Sequence, residues 1–178
     1  MVDLLDAYGR RDAVLLRIVI VIHIAAGLTA VAAGATAMLA PKRRGRHPRS
    51  GHTYLGALVV LTTTAIVLAA ARPHTAYLLI LGAVALVAAG YGWRVRRLHH
   101  RGWRPRHITA MALSYTAMVT AFYVDNGPRL PLWSLLPPLT FWFLPAAVAL
   151  PLLVRALNRH APRATRRQTA EAGSADGL

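Results

Sequence analysis

The chain has 178 residues, of which 56% are hydrophobic and only 15% are charged, and its mean hydropathy is +0.42. A soluble domain carries about 25% charged residues, so the composition argues against a soluble fold. The net charge of +15 lies in the gaps between apolar blocks, which is typical of membrane proteins and not of nucleic-acid-binding domains. The chain has no cysteine, which excludes disulfides, thiolate nucleophiles and iron–sulfur clusters.

Five apolar segments are long enough to cross a bilayer, which requires about 20 mostly apolar residues. In chain order they span residues 13–39, 53–71, 75–93, 107–124 and 132–157. Pro48 and Pro105 suit the first turn of a helix, so the second and fourth helices can begin as early as those residues. We therefore predict an all-α, polytopic bundle of five transmembrane helices.

The ends of the chain differ from this central domain at 13–157. Residues 1–12 are predicted to form a short external N-terminus, and residues 158–178 a basic, disordered cytoplasmic tail. The fifth apolar segment contains four prolines, which we expect to distort its helix: Pro137, Pro138, Pro145 and Pro151.

Basic residues alternate between the two sides of the predicted bundle. The first connection carries five Lys and Arg, the third carries six and the C-terminal end carries five, whereas the other five of the 21 fall on the opposite side. Because Lys and Arg mark the cytoplasmic side of a membrane protein, this pattern places the N-terminus outside and the C-terminus inside. We expect the protein in the cell inner (plasma) membrane, with anionic headgroups at its basic connections.

His23 is the clearest ionisable residue within an apolar segment, and such residues are candidates for function. Gly27, Ala26, Ala30 and Gly34 follow it at helical spacing, which leaves a face that another helix or a flat cofactor can approach closely. The alternative is a neutral imidazole that hydrogen-bonds a hydroxyl or carbonyl group inside the bundle.

His47 and His107 form a second constellation, because each immediately precedes a predicted membrane helix on the basic side. Gly51 and Tyr54 share the helix face of His47, and Met111, Ser114 and Tyr115 that of His107. Two imidazoles at one depth can hold a metal ion or a haem b iron. The alternative is that both histidines bind headgroup phosphates beside the arginines. His23 lies about 24 Å from this level, at 1.5 Å per residue, and is not expected to join the pair.

The sequence gives little support to an enzymatic function. There is no phosphate loop, dinucleotide fingerprint or catalytic triad, so an enzyme is disfavoured, although the question stays open. We expect an accessory membrane protein whose histidines bind haem or metal. A small transporter or channel using the distorted fifth helix is one alternative. A structural partner, which packs the first helix against another subunit or a second copy, is the other.

The histidine motifs resemble the bacterial membrane-protein family known as domain of unknown function number 2306. The match consists of His23, then His47 with Gly51 and Tyr54, then His107 with Met111, Ser114 and Tyr115. Pro48 and Ala110 stand where that family often has arginine and tryptophan. The similarity extends over residues 23–153 and implies a helical membrane fold without an assigned activity.

Overall fold

The computed structural model describes residues 2–40, 45–99, 101–131 and 133–160. Nearly all of them are helical. The five long helices are α1 (Val2–Leu39), α2 (Arg46–Ala71), α3 (Leu78–Leu98), α4 (Trp103–Asn126) and α5 (Thr140–His160). Each is long and apolar enough to cross a membrane. The all-α class and the five candidate spans are therefore confirmed.

Local sequence explains where the helices begin and end. Gly45 and Gly102 precede α2 and α4 with φ angles of 126° and 77°, a region that glycine enters without steric cost. Pro73 opens a short 3₁₀ turn after α2, and the residue before a proline disfavours the helical conformation. These breaks produce the short connections expected between antiparallel neighbours.

The helix bounds differ from the prediction at both ends of the chain. α1 begins at Val2, so the first helix extends over residues 2–12 ahead of the candidate span Asp12–Leu39. α5 begins at Thr140 and not at residue 132, because Pro137 and Pro138 lack the N–H groups that a helix interior requires. Only Pro145 and Pro151 lie inside α5. Most of the predicted tail, residues 161–178, lies outside the described residues.

The helices pack in an up-and-down order. α1 packs extensively on α2, α3 on α4, and α4 on α5, whereas α2 and α3 contact each other less. The core consists mainly of small and aliphatic side chains with one tyrosine: Ala30, Ala33, Tyr54, Leu58, Ala85, Ala89, Ala117 and Met118. Small residues let helices approach closely, as is typical inside a membrane bundle.

The outer surface of the bundle is strongly apolar. Val21, Leu28 and Phe143 have 65%, 67% and 68% of their surface exposed. Such exposure is unfavourable in water but suits contact with lipid chains. The antiparallel order brings the start of α2, the end of α3 and the start of α4 to one end of the bundle, which is also the basic end.

Candidate functional site

The structure brings His47 and His107 together at the basic end. Their ring centroids are 6.4 Å apart, and the ring planes are nearly perpendicular at 82°. His47 lies in the first turn of α2 and His107 in the second turn of α4. This contact places the two histidines at the same level of the bundle.

Backbone carbonyls hold both rings. The Nδ1–H of His47 donates to the Ala37 carbonyl oxygen on α1 at 2.8 Å, and that of His107 donates to the Gly92 carbonyl oxygen on α3 at 2.9 Å. A carbonyl oxygen only accepts, so Nδ1 carries the hydrogen in each ring and Nε2 is the acceptor nitrogen of the neutral imidazole. This is the tautomer and the outer-shell contact usual for histidines that ligate metals.

A second polar layer lies one heptad deeper along the same two helices. Tyr54 follows His47 by seven residues, Ser114 follows His107 by seven, and the Tyr54 and Ser114 hydroxyl oxygens are 2.7 Å apart. Tyr54 is 1% and Ser114 0% exposed. Residues seven positions apart lie on the same face of a helix. α2 and α4 therefore meet through two pairs of side chains, His47 with His107 and Tyr54 with Ser114.

Tyr115 joins α1 to this layer. Its ring centroid lies 6.2 Å from that of Tyr54, and its hydroxyl donates to the Val31 carbonyl oxygen at 3.3 Å. A Cβ atom added to Gly34 would lie only 2.5 Å from the Tyr115 ring. A glycine is therefore required on α1 where this ring packs.

A small cavity of about 20 Å³ adjoins His107 between α2, α3 and α4. It includes the predicted site residues Gly51 and Met111 and several that the motifs did not single out. Its lining residues are Pro48, Gly51, His52, Leu55, Trp93, Arg96, His107 and Met111. A volume of this size holds about one water-sized group.

His23 lies away from the pair, as its depth predicted. Its Nδ1 is 2.9 Å from the Thr64 hydroxyl oxygen on α2. The Thr64 hydroxyl itself donates to the carbonyl oxygens of Val60 and Leu61 at 2.8 and 2.9 Å, so the Nδ1–H of His23 is the donor. This is the within-bundle hydrogen bond that we gave as the alternative to a ligand role. The sequence pattern did not identify Thr64 as the partner in this bond.

The site is strongly electropositive. Every described arginine of the first and third connections lies at this end, and the sequence contains no Asp or Glu between Asp12 and Asp125. Within the described residues, neither α2 nor α4 has a side-chain cap or an acidic residue in its first turn. The positive ends of these two helices lie beside the negative ends of α1 and α3, so the arginine side chains account for the positive charge here.

The spacing of the two rings is compatible with one metal ion between two imidazoles, because each metal–nitrogen bond adds about 2 Å. A separation of 6.4 Å at 82° is equally that of an ordinary edge-to-face ring contact. Within the described residues no group of three or more His, Cys, Asp or Glu converges as a ligand set, so the pair is not a closed structural site.

Space at the site distinguishes the ligands it can accept. The cavity of about 20 Å³ is lined by His107 but not by His47, whereas small-molecule sites usually have about 300–1,000 Å³. A porphyrin therefore requires α2 and α4 to move apart at this end. These helices meet mainly through side chains and not through close backbone packing, which makes such a separation less costly.

No protein-family model, curated protein or solved structure matches this chain. The resemblance to the family of unknown function therefore stays a prediction, carried by the histidine motifs alone. The structure adds that residues from both motifs, His47 with Tyr54 and His107 with Ser114, pack against each other.

Proposed function

We propose that this chain is a multi-pass protein of the bacterial inner membrane, with its N-terminus outside and its basic end in the cytoplasm. Five long apolar helices with exposed apolar faces support the membrane location. The grouping of basic residues at one end supports the orientation. Anionic headgroups then surround the His47 and His107 end of the bundle.

We further propose that His47 and His107 bind one transition-metal ion, either as haem iron or as a bare ion, in a non-catalytic accessory protein. The observation that carries this proposal is their 6.4 Å centroid separation, with each Nδ1–H already donated to a backbone carbonyl. Those carbonyls fix the ring orientations and would raise the basicity of the Nε2 nitrogens toward a metal. Haem iron held by His47 and His107 would supply one-electron transfer.

The absorption spectrum of the purified protein, as isolated and after haemin addition, tests the proposal together with its metal content. A Soret band that is lost in H47A and in H107A supports haem. A colourless protein that binds about one metal ion, again lost in both variants, supports the bare ion. H23A is the matched control, because His23 bonds Thr64 and should leave binding unchanged. A protein that stays colourless and metal-free under both conditions refutes the proposal.

The two alternatives receive less support from the geometry. A transporter using His23 needs a hydrated cavity at that residue, whereas His23 is hydrogen-bonded to Thr64 across the α1–α2 interface. A second subunit packed on the small residues of α1 needs them exposed, whereas Ala26, Ala30 and Gly34 are buried within the chain. The small residues of α1 therefore give no support to a docking face. A homo-oligomer or other membrane subunit would have to use another surface.

A further inference from the structure

The five helices form two closely packed groups with a looser interface between them. α1 packs extensively on α2, and α4 packs on both α3 and α5. Across the interface, α2 contacts α3 less extensively, and α1 contacts α4 only slightly. Side chains that join α1 or α2 to α4 therefore contribute strongly to how tightly the two groups are held together.

His23 belongs to the first group and is oriented by it. Its Nδ1–H donates to the Thr64 hydroxyl oxygen at 2.9 Å, and Thr64 donates to carbonyl oxygens of its own helix. Because Thr64 only accepts from this ring, a proton taken up from solution is added at Nε2. His23 is half-buried between apolar helices, where a charged imidazolium is costly unless an opposite charge lies near it.

Asp125 belongs to the second group and lies at the level of His23. Gly34 on α1 and Tyr115 on α4 are in contact, since a Cβ atom added to Gly34 would lie 2.5 Å from the Tyr115 ring. Towards the end of the bundle opposite the arginine clusters, His23 lies about 16 Å from Gly34 along α1. In the same direction, Asp125 lies about 15 Å from Tyr115 along α4. The Asp125 carboxylate accordingly acts electrostatically on His23.

No other charged group is placed in this way among the residues that the structure describes. The remaining groups at this end that carry charge near neutral pH are exposed: Asp12, Arg17, Arg72, His74 and Arg129. Asp125 accepts a hydrogen bond from the Asn126 side-chain amide at 3.4 Å, which leaves its negative charge unchanged. Because Asp125 is itself exposed, its attraction for a charged His23 is modest.

We propose that His23 and Asp125 form a proton-dependent clasp between the two helix groups, at the end of the bundle opposite His47 and His107. The ligand is a proton from the solution on that side, which is the outer side in the orientation proposed above. While His23 is neutral, the clasp is open. In acid, the imidazolium attracts the Asp125 carboxylate and draws the end of α4 towards α1 and α2. The clasp does not depend on a metal ion.

Thermal unfolding of the full-length protein in detergent, at about pH 8 and at about pH 5, tests the pair. An ordinary imidazole is neutral at the first pH and charged at the second, whereas an ordinary carboxyl group is ionised at both. Wild type, D125N, H23Q and H23Q/D125N are compared. D12N is the matched control, because Asp12 is an exposed acidic residue at the same end.

D125N should lower the unfolding midpoint by about 2–4 °C more in acid than in base, the shift that a modest interaction produces in a chain of this length. In the H23Q background the effect of D125N should be the same at both pH values, and D12N should show no such pH dependence in wild type. The proposal is overturned if the effect of D125N does not depend on pH, if its pH dependence persists without His23, or if D12N reproduces it.

A distance measurement tests the movement itself. Because the chain has no cysteine, spin labels can be attached at V67C on α2 and F122C on α4 without a background label. Both side chains are exposed, so labels there leave the packing intact. Acid should narrow the distribution of distances between the labels in the wild-type background and leave it unchanged in D125N. A distribution that does not respond to acid in the wild-type background overturns the clasp, whatever D125N does to unfolding.

These readouts require no metal, so the clasp and the proposed metal site fail separately. A protein that binds no metal in any variant but shows the acid-dependent effect of D125N refutes the metal site and supports the clasp. A protein whose metal is lost in H47A and H107A, without any acid-dependent effect of D125N, supports the metal site and refutes the clasp.

Discussion

Replacement of Gly34 by alanine tests the packing that positions the site. The new Cβ would lie 2.5 and 2.6 Å from two Tyr115 ring atoms and 3.2 Å from a Tyr54 ring atom. An aromatic ring is rigid, so it can make room for the new Cβ only if the helix that carries it moves. We therefore expect an overpacking cost of about 1–3 kcal/mol.

The same substitution removes a glycine from a helix interior, which alone stabilises a helix by about 1 kcal/mol. Gly27 on the same helix provides the control, because an alanine Cβ there meets Leu61 at 3.5 Å, an ordinary contact. G34A should thus be about 1–3 kcal/mol less stable than G27A in detergent, where unfolding is followed by tryptophan fluorescence. In a Y115A background most of that difference should disappear. Equal stability of G34A and G27A in the wild-type background refutes the reasoning.

Two further predictions concern the polar layer and the topology. Y54F leaves the buried Ser114 hydroxyl without its partner at 2.7 Å and should lower the free energy of unfolding by about 1–3 kcal/mol in the same assay. The double variant Y54F/S114A should lose less stability than the sum of the two single variants. Additive costs would show that the hydrogen bond contributes nothing. Because the chain has no cysteine, H74C and H99C can be made without a background label. A membrane-impermeant maleimide added to intact cells should label H74C and not H99C, and the reverse result contradicts the proposed orientation.

Hydropathy and charge were sufficient to predict the helices, because each span is an independent run of apolar residues and each basic cluster marks a boundary. The same alternation of apolar spans and basic clusters predicted that His47 and His107 lie close together, since both precede helices that start at the same end. The fifth span was placed too early because its apolar composition continues through Pro137 and Pro138, where backbone chemistry prevents a helix.

Contacts between helices could not be predicted in the same way. The Tyr54–Ser114 pair and the His23–Thr64 pair depend on how far each helix is rotated about its axis. In an apolar solvent that rotation is determined by packing of small residues and not by an amphipathic pattern. Arg96 was visible only as one of six basic residues, and its place with His107 in the cavity lining appears once α2, α3 and α4 are assembled.

The metal content of the purified protein tests the central claim most directly. Each protein is saturated with haemin or with a transition-metal ion, and the excess is then removed. Elemental analysis should find about one metal per chain in wild type and none in the double variant H47A/H107A. H23A should match wild type. Equal metal retention by wild type and by the double variant would contradict a site built on His47 and His107.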